Sequence, residues 1–258
     1  MTIVLRSLVV RSSGTTLVNG VSLSLAPGSR TALVGASGAG KSLTCAALAG
    51  TLPASLEVAG SLTVEPDDAD PDNDPRASSD RRGDVGGVNL LGLPAARRPR
   101  GSRIALVPQD HSTALHPLIA VGRQIALASQ AAGRTLGEAD QRATDYLYAV
   151  GLDEKIDALP SELSGGQAQR VAICRAIINR PNILLADEPT GNLDSANSRT
   201  ITDIFHQINR QLGTTVVIVT HNQQIAGEAD RVIELRDGAI VRDTAATNRP
   251  AETKTGVL

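Results

Sequence analysis

The sequence predicts an α/β fold with a phosphate-binding core, an antiparallel β subdomain and an inserted helical subdomain. Three observations predict it. Gly35-Ala36-Ser37-Gly38-Ala39-Gly40-Lys41-Ser42 fits G-x-x-x-x-G-K-[ST] at every fixed position. Apolar, β-branched runs alternate with helix-compatible segments on both sides of it. A stretch of helical periodicity from His111 to Glu162 interrupts that alternation. A length of 258 residues suits one such unit, from 1 to 258, able to bury a core of its own.

Along the chain, Ile3 to Leu25 carries short alternating strands with a Gly-Thr-Thr break. Thr31 to Val34 is a buried strand and Leu43 to Leu48 favours helix, so the glycine-rich loop lies between strand and helix. Gly60 to Val64 and Gly87 to Leu91 read as two arms of a hairpin. Between them, residues 66–82 are too polar and proline-rich to pack and read as a disordered insertion. Its Asp70, Asp72 and Asp74 imitate the start of a calcium loop. However, Pro75 stands where glycine is needed and Arg81 where glutamate is needed, so a solvated acidic loop is preferred. Arg97, Arg98, Arg100 and Arg103 read as a solvated charged face.

Helices are expected over Val121–Ala132 and Leu136–Val150, and again from Gln167 to Ile178. Ile183 to Glu188 is an apolar strand ending in two acids. Ser198 to Leu212 is a helix stopped by Gly213, and Thr215 to Val219 is a β-branched core strand. Asp237-Gly238 joins Val232–Leu235 to Ala239–Val241 as a hairpin turn.

The chemistry follows from the residue types. Glycines let the backbone wrap an anion, and the loop amides with the helix N-terminus point at a phosphate. Lys41 reaches toward the β- and γ-phosphates and the Ser42 hydroxyl toward Mg²⁺. Mg²⁺ is typically bound by one or two carboxylates plus phosphate. Asp187 supplies that carboxylate, which leaves Glu188 to orient and polarise water.

These motifs resemble the ATP-binding-cassette (ABC) transporter ATPases, and the resemblance runs nearly the whole length. After the phosphate loop come Val107-Pro108-Gln109, like the glutamine loop, and Leu163-Ser164-Gly165-Gly166-Gln167, like the family signature. Ile183 to Glu188, Gly191-Asn192-Leu193-Asp194 and Val219-Thr220-His221 complete the family order. The resemblance implies a P-loop NTPase (RecA-like) core over 1–108 and 176–258, with the β subdomain, and a helical subdomain over 109–175. It implies ATP and Mg²⁺ as ligands and two chains closing head to tail over two nucleotides. Glu188, His221 and Gln109 are then the catalytic set, with His221 sensing the γ-phosphate. Ser42, Gln109 and Asp187 are the metal set. Gly35 to Ser42 bind ATP in the same chain, and Ser164, Gly165, Gly166, Gln167 and Asp194 reach the ATP of the partner.

One departure stands out. Family members place an aromatic ring before the phosphate loop to stack on adenine, whereas no aromatic residue precedes Tyr146 and the corresponding stretch is Val10-Arg11-Ser12-Ser13-Gly14. Weaker adenine grip follows, with Arg11 able to stack in part through its planar guanidinium.

Composition bounds the rest. A formal charge of −2 and a pI near 6.1 give no basic excess for nucleic acid. Cys45 and Cys174 read as buried free thiols. No apolar run spans a membrane and no leader is evident, so the resemblance implies a cytoplasmic protein held at the membrane by permease subunits. Ala105 to Asp110, Thr113 to Pro117 and Val121 to Ile125 resemble dipeptide, oligopeptide and nickel importer ATPases, whose partners include an extracytoplasmic solute-binding protein. Gly191-Asn192 looks instead like lipoprotein or macrolide exporters, which remain the alternative beside a nontransport cassette.

Overall fold

The computed structural model describes residues 2–65, 88–99, 104–110 and 114–244. The acidic insertion, its calcium-like aspartates, Arg100 and Arg103 lie outside the described residues.

Two 11-residue strands, β1 (Thr2–Ser12) and β2 (Thr15–Leu25), form a hairpin through Ser13-Gly14, both at positive φ. The turn thus overlaps the start of the predicted break at Gly14. With β4 (Glu57–Glu65) they make an antiparallel sheet of order β2-β1-β4. The predicted second arm of the β4 hairpin is not a strand over its described residues 88–91. Asn89 takes its place. Its side-chain oxygen accepts from Leu62 N at 2.9 Å, its amide donates to Gly60 O, and Leu90 N donates to Leu62 O.

The second sheet has the order β5-β6-β7-β3-β8-β9. β5 (Ile104–Val107), β6 (Ile183–Asp187), β7 (Thr215–Val219), β3 (Arg30–Val34) and β8 (Arg231–Arg236) run parallel, and β9 (Ala239–Thr244) returns antiparallel. β6 and β7 are buried along most of their length because one face packs on a helix and the antiparallel sheet and the other on helices, which explains their unbroken apolar runs. Asp237 and Gly238 both adopt positive φ, as a two-residue hairpin turn requires.

The helices are α1 (Lys41–Ala49), α2 (Val121–Ala131), α3 (Leu136–Ala149), α4 (Gly165–Ile177), α5 (Ser195–Leu212) and the short α6 (Gln223–Gly227). α5 starts three residues earlier than the sequence predicts, because Asp194 caps it. Gly213 ends it in the left-handed conformation.

Three apolar clusters hold these layers together. One joins the antiparallel sheet to α1 and the inner strands, as in Leu5, Leu62, Leu48 and Ile233. A second packs α2, α3 and α4 on one another through Ile125, Leu147 and Val171. The third seats α4 and α5 on the parallel sheet through Ile173, Phe205 and Val216. Both cysteines are buried, and burial pushes their thiols up, Cys174 to about 12. The reading of Arg98 as part of a solvated face is overturned. Its half-buried guanidinium donates to Ala47 O at 3.0 Å, to Leu48 O and to Leu93 O at 3.1 Å. α1 has no basic residue in its own last turn, so Arg98 supplies the cation that its C-terminal carbonyls favour.

Candidate nucleotide site

The parallel sheet gathers the site at one edge. The carboxyl ends of four adjacent strands, β5, β6, β7 and β3, lead to Gln109, Asp187 and Glu188, His221 and the phosphate loop respectively. Such an edge is where ligands of open parallel sheets bind.

β3 delivers the chain into Gly35. A Cβ there would lie 2.2 Å from Leu235 O, so no larger residue fits against β8. The loop turns through Gly38 and Gly40 at positive φ into α1. Lys41 is 5% exposed, and its ammonium donates to Gly35 O and Ala36 O, both at 2.9 Å. The charge is thereby fixed inside the loop beside amides able to receive an anion.

The Ser42 hydroxyl donates to Asp187 Oδ1 at 3.0 Å. Burial raises the Asp187 carboxyl above its usual range, and neighbouring Glu188 adds to this, while the Ser42 hydrogen bond and Lys41 oppose it. Two hard oxygen donors this close fit one side of a Mg²⁺ shell completed by phosphate and water. No group of three or more His, Cys, Asp or Glu side chains that could hold a metal ion occurs among the described residues.

Glu188 follows at φ 43°, an unusual conformation for a side chain of its size. Its amide donates to Val219 O at 3.0 Å, which ties β6 to β7 at this point. Its Oε2 lies 3.3 Å from His221 Nδ1 and accepts from Gln109 Nε2 at 3.4 Å. Glu188, His221 and Gln109 therefore meet as one cluster. Gln109 stands against Glu188 here, whereas the Ser42–Asp187 pair forms a separate contact. A cavity of about 960 Å³ with polar walls opens beside Glu188 and His221, between α5 and α6; sequence reasoning did not find it.

The signature turn is built separately. Ser164 caps α4 in a reciprocal box: its Oγ accepts from Gln167 N at 3.3 Å, and Gln167 Oε1 accepts from Ser164 N at 2.8 Å. No hydrogen bond or ion pair joins this turn to the phosphate loop among the described residues. Asp194 caps α5, and hydrogen bonds from the Asn197 backbone and side chain hold its carboxyl below the usual range. Asn197 was missed by sequence reasoning; the only signal was its place three residues after a capping aspartate. Arg11 is exposed on β1 beside Thr16 and Glu57, and Val10 is buried.

A glycine-rich loop between strand and helix, a serine–aspartate pair and a glutamate just past the strand end define a P-loop nucleoside-triphosphate hydrolase. Comparison narrows the class. The sequence model described as ABC transporter matches residues 18–191. A lipoprotein-releasing system ATP-binding protein, LolD 1, of Rhodopirellula baltica is 36% identical over 228 residues, 88% of each chain. The cell division ATP-binding protein FtsE of Streptococcus pneumoniae is 38% identical over 235 residues, 90% of each chain. A post-hydrolysis dimer of the ATP-binding cassette MJ0796 bound to ADP and Pi superposes with a TM-score of 0.73 at 26% identity, covering 96% of this chain and all of that one. The chain belongs to the ABC transporter ATPase family and is an ATP-hydrolysing enzyme with the P-loop NTPase fold. The importer resemblance of Ala105 to Ile125 is corrected by these relatives, which are named for lipoprotein release and cell division. No solute-binding protein is supported.

Proposed function

We propose that this chain is the ATPase subunit of an ABC system of the lipoprotein-release or macrolide-export type. It would sit on the cytoplasmic face of the membrane through permease subunits and work as a pair of ATPase chains. The likeness to a lipoprotein-releasing ATPase over 88% of each chain and Gly191-Asn192 support this over import. A macrolide export ATP-binding/permease protein, MacB, of Rhodopirellula baltica is 49% identical over 111 residues, 43% of this chain and 16% of that one. No described helix is long and apolar enough to cross a membrane, which fits a subunit docked on others.

The observation that carries the catalytic reading is the juxtaposition of the Ser42–Asp187 contact with the Glu188–His221–Gln109 cluster at one sheet edge. The loop amides and Lys41 bind the β- and γ-phosphates of ATP. Ser42 and Asp187 would hold Mg²⁺, which would supply charge neutralisation to the phosphates when bound. Glu188 orients the attacking water and accepts its proton. His221 and Gln109 position that carboxylate, and each can turn toward the γ-phosphate or the metal. Ser164, Gly165 and Gly166 offer a hydroxyl and helix N-terminal amides to the nucleotide of the partner. Closure on ATP and reopening after phosphate release would drive the permease.

Steady-state hydrolysis by the purified chain, alone and with its permease in vesicles, tests the reading. We expect slow Mg²⁺-dependent turnover alone and faster turnover with an exporter-type permease. Absence of hydrolysis in both settings would contradict it. Stimulation only by a permease and solute-binding protein would restore import.

A further inference from the structure

We propose that Asn197 is a positioning residue that locks the Ser164–Gln167 turn to Asp194, so that both elements meet the nucleotide of the neighbouring chain as one edge. This rests on the two-chain site proposed above.

The geometry is specific at both ends of the Asn197 carboxamide. At one end it fills the space that a side chain on Gly166 would need. A Cβ on Gly166 would lie 2.4 Å from Asn197 Oδ1 and 2.7 Å from its Cγ. That distance is inside van der Waals contact, so Gly166 and Asn197 accommodate each other across two helices. At the other end, Asn197 Nδ2 donates to Asp194 Oδ2 at 2.8 Å while the Asn197 backbone N donates to Asp194 Oδ1, also at 2.8 Å. Both carboxylate oxygens are thus engaged, and the carboxylate plane is fixed.

The side chain is not needed to cap α5, because the backbone donor alone satisfies that role. Nor does it belong to the apolar seat of α5, which Ile201, Ile204, Phe205 and Ile208 provide. Its contacts instead join residues of two motifs that lie on different helices, each assigned to the opposite nucleotide. Asp194 then cannot shift without moving Asn197, and Asn197 cannot shift without releasing Gly166. A hydrogen bond to a carboxylate, with the lost packing, corresponds to about a tenfold effect.

Asn197→Ala keeps the backbone cap and removes only the carboxamide. Asn197→Asp keeps the shape but sets a carboxylate against Asp194. Each is made in the Glu188→Gln chain, to hold ATP unhydrolysed, and in the otherwise native chain. Three quantities are measured: affinity of the single chain for fluorescent MgATP at low protein concentration, the MgATP-driven dimer constant by sedimentation, and kcat with KM. We expect unchanged single-chain affinity, a dimer constant weakened about tenfold for Ala and further for Asp, and a lower kcat. An unchanged dimer constant and kcat, with only a lowered melting temperature, would overturn the proposal. So would an equal loss in single-chain affinity, which would mean that Asn197 serves its own chain's site. If the Glu188→Gln parent itself stays monomeric at saturating MgATP, the two-chain reading fails first. A dimerising parent with an unaffected Asn197→Ala variant sinks the Asn197 proposal alone.

Discussion

Glu188 sits in a conformation that a glutamate rarely adopts, with its carboxylate directed to His221 and Gln109. Glu188→Gln keeps the shape and removes the base. Single-turnover assays should show hydrolysis slowed by about 10²–10⁴-fold, the usual share of general base catalysis, with MgATP affinity retained. Turnover at the native rate would remove Glu188 from this role. Arg11, expected from the family resemblance to lie near the base of the nucleotide, is exposed, and no aromatic residue precedes Tyr146. Aromatic stacking on a base is worth about 1–3 kcal/mol, so ATP and GTP should bind with similar, modest affinities in equilibrium titrations. A strong preference for ATP at low micromolar affinity would contradict this. The glycine-rich loop between strand and helix was legible in the sequence because its glycine spacing is that of a turn able to wrap an anion. The Asn197–Gly166 contact was not, because it joins two helices through space and leaves no local pattern.

At the scale of elements, strand and helix positions were legible wherever one face is buried and periodicity is imposed by packing. β7 matches its β-branched run, and α2 and α3 fall within a residue of their apolar spacing. The start of α5 was hidden because Ser195, Ala196 and Asn197 carry no apolar period and their order comes from a cap. The second arm beside β4 failed for a related reason: Asn89 bonds the strand through its side chain rather than a strand backbone. Arg98 looked like a surface charge, yet it closes the C-terminal end of the helix that carries Lys41 and Ser42. Its pKa, pushed down by burial to about 10, leaves it charged at neutral pH. Arg98→Met should cost about 1–3 kcal/mol in denaturant titration, because three carbonyls lose a charged donor. An unchanged midpoint would return Arg98 to the surface. α3 offers a pH signature. Hydrogen bonds from the Thr135 side chain and backbone hold the Glu138 carboxyl below the usual range. A depressed carboxyl contributes stability above its unfolded pKa, near 4.3, and loses it as pH falls through the lower folded value. The melting-temperature gap between the native chain and Glu138→Gln should therefore be present at neutral pH and close under acid. A gap that persists or widens in acid would contradict the capping account.

For the whole molecule, the two sheets and the helical layer present the phosphate loop and the signature turn as separate surfaces, with no hydrogen bond between them among the described residues. In the function proposed above, one chain carries two half-sites, and two chains complete each of them. The proposed relation between the halves comes from the family resemblance, whereas the choice of permease would depend on surfaces that no motif records. Complementation between two inactive chains tests the composite site most directly. Lys41→Ala removes the phosphate cation of one half-site. Gly165→Asp places a carboxylate in the signature turn, where the N-terminus of α4 tolerates it but a γ-phosphate does not. Each variant alone should lack ATPase activity. When they are mixed, the hybrid pair holds one doubly damaged site and one intact site. Random pairing should then restore about a quarter of native activity, because half the pairs are mixed and each has one working site of two. A mixture as inactive as its components would contradict the shared site on which the account rests.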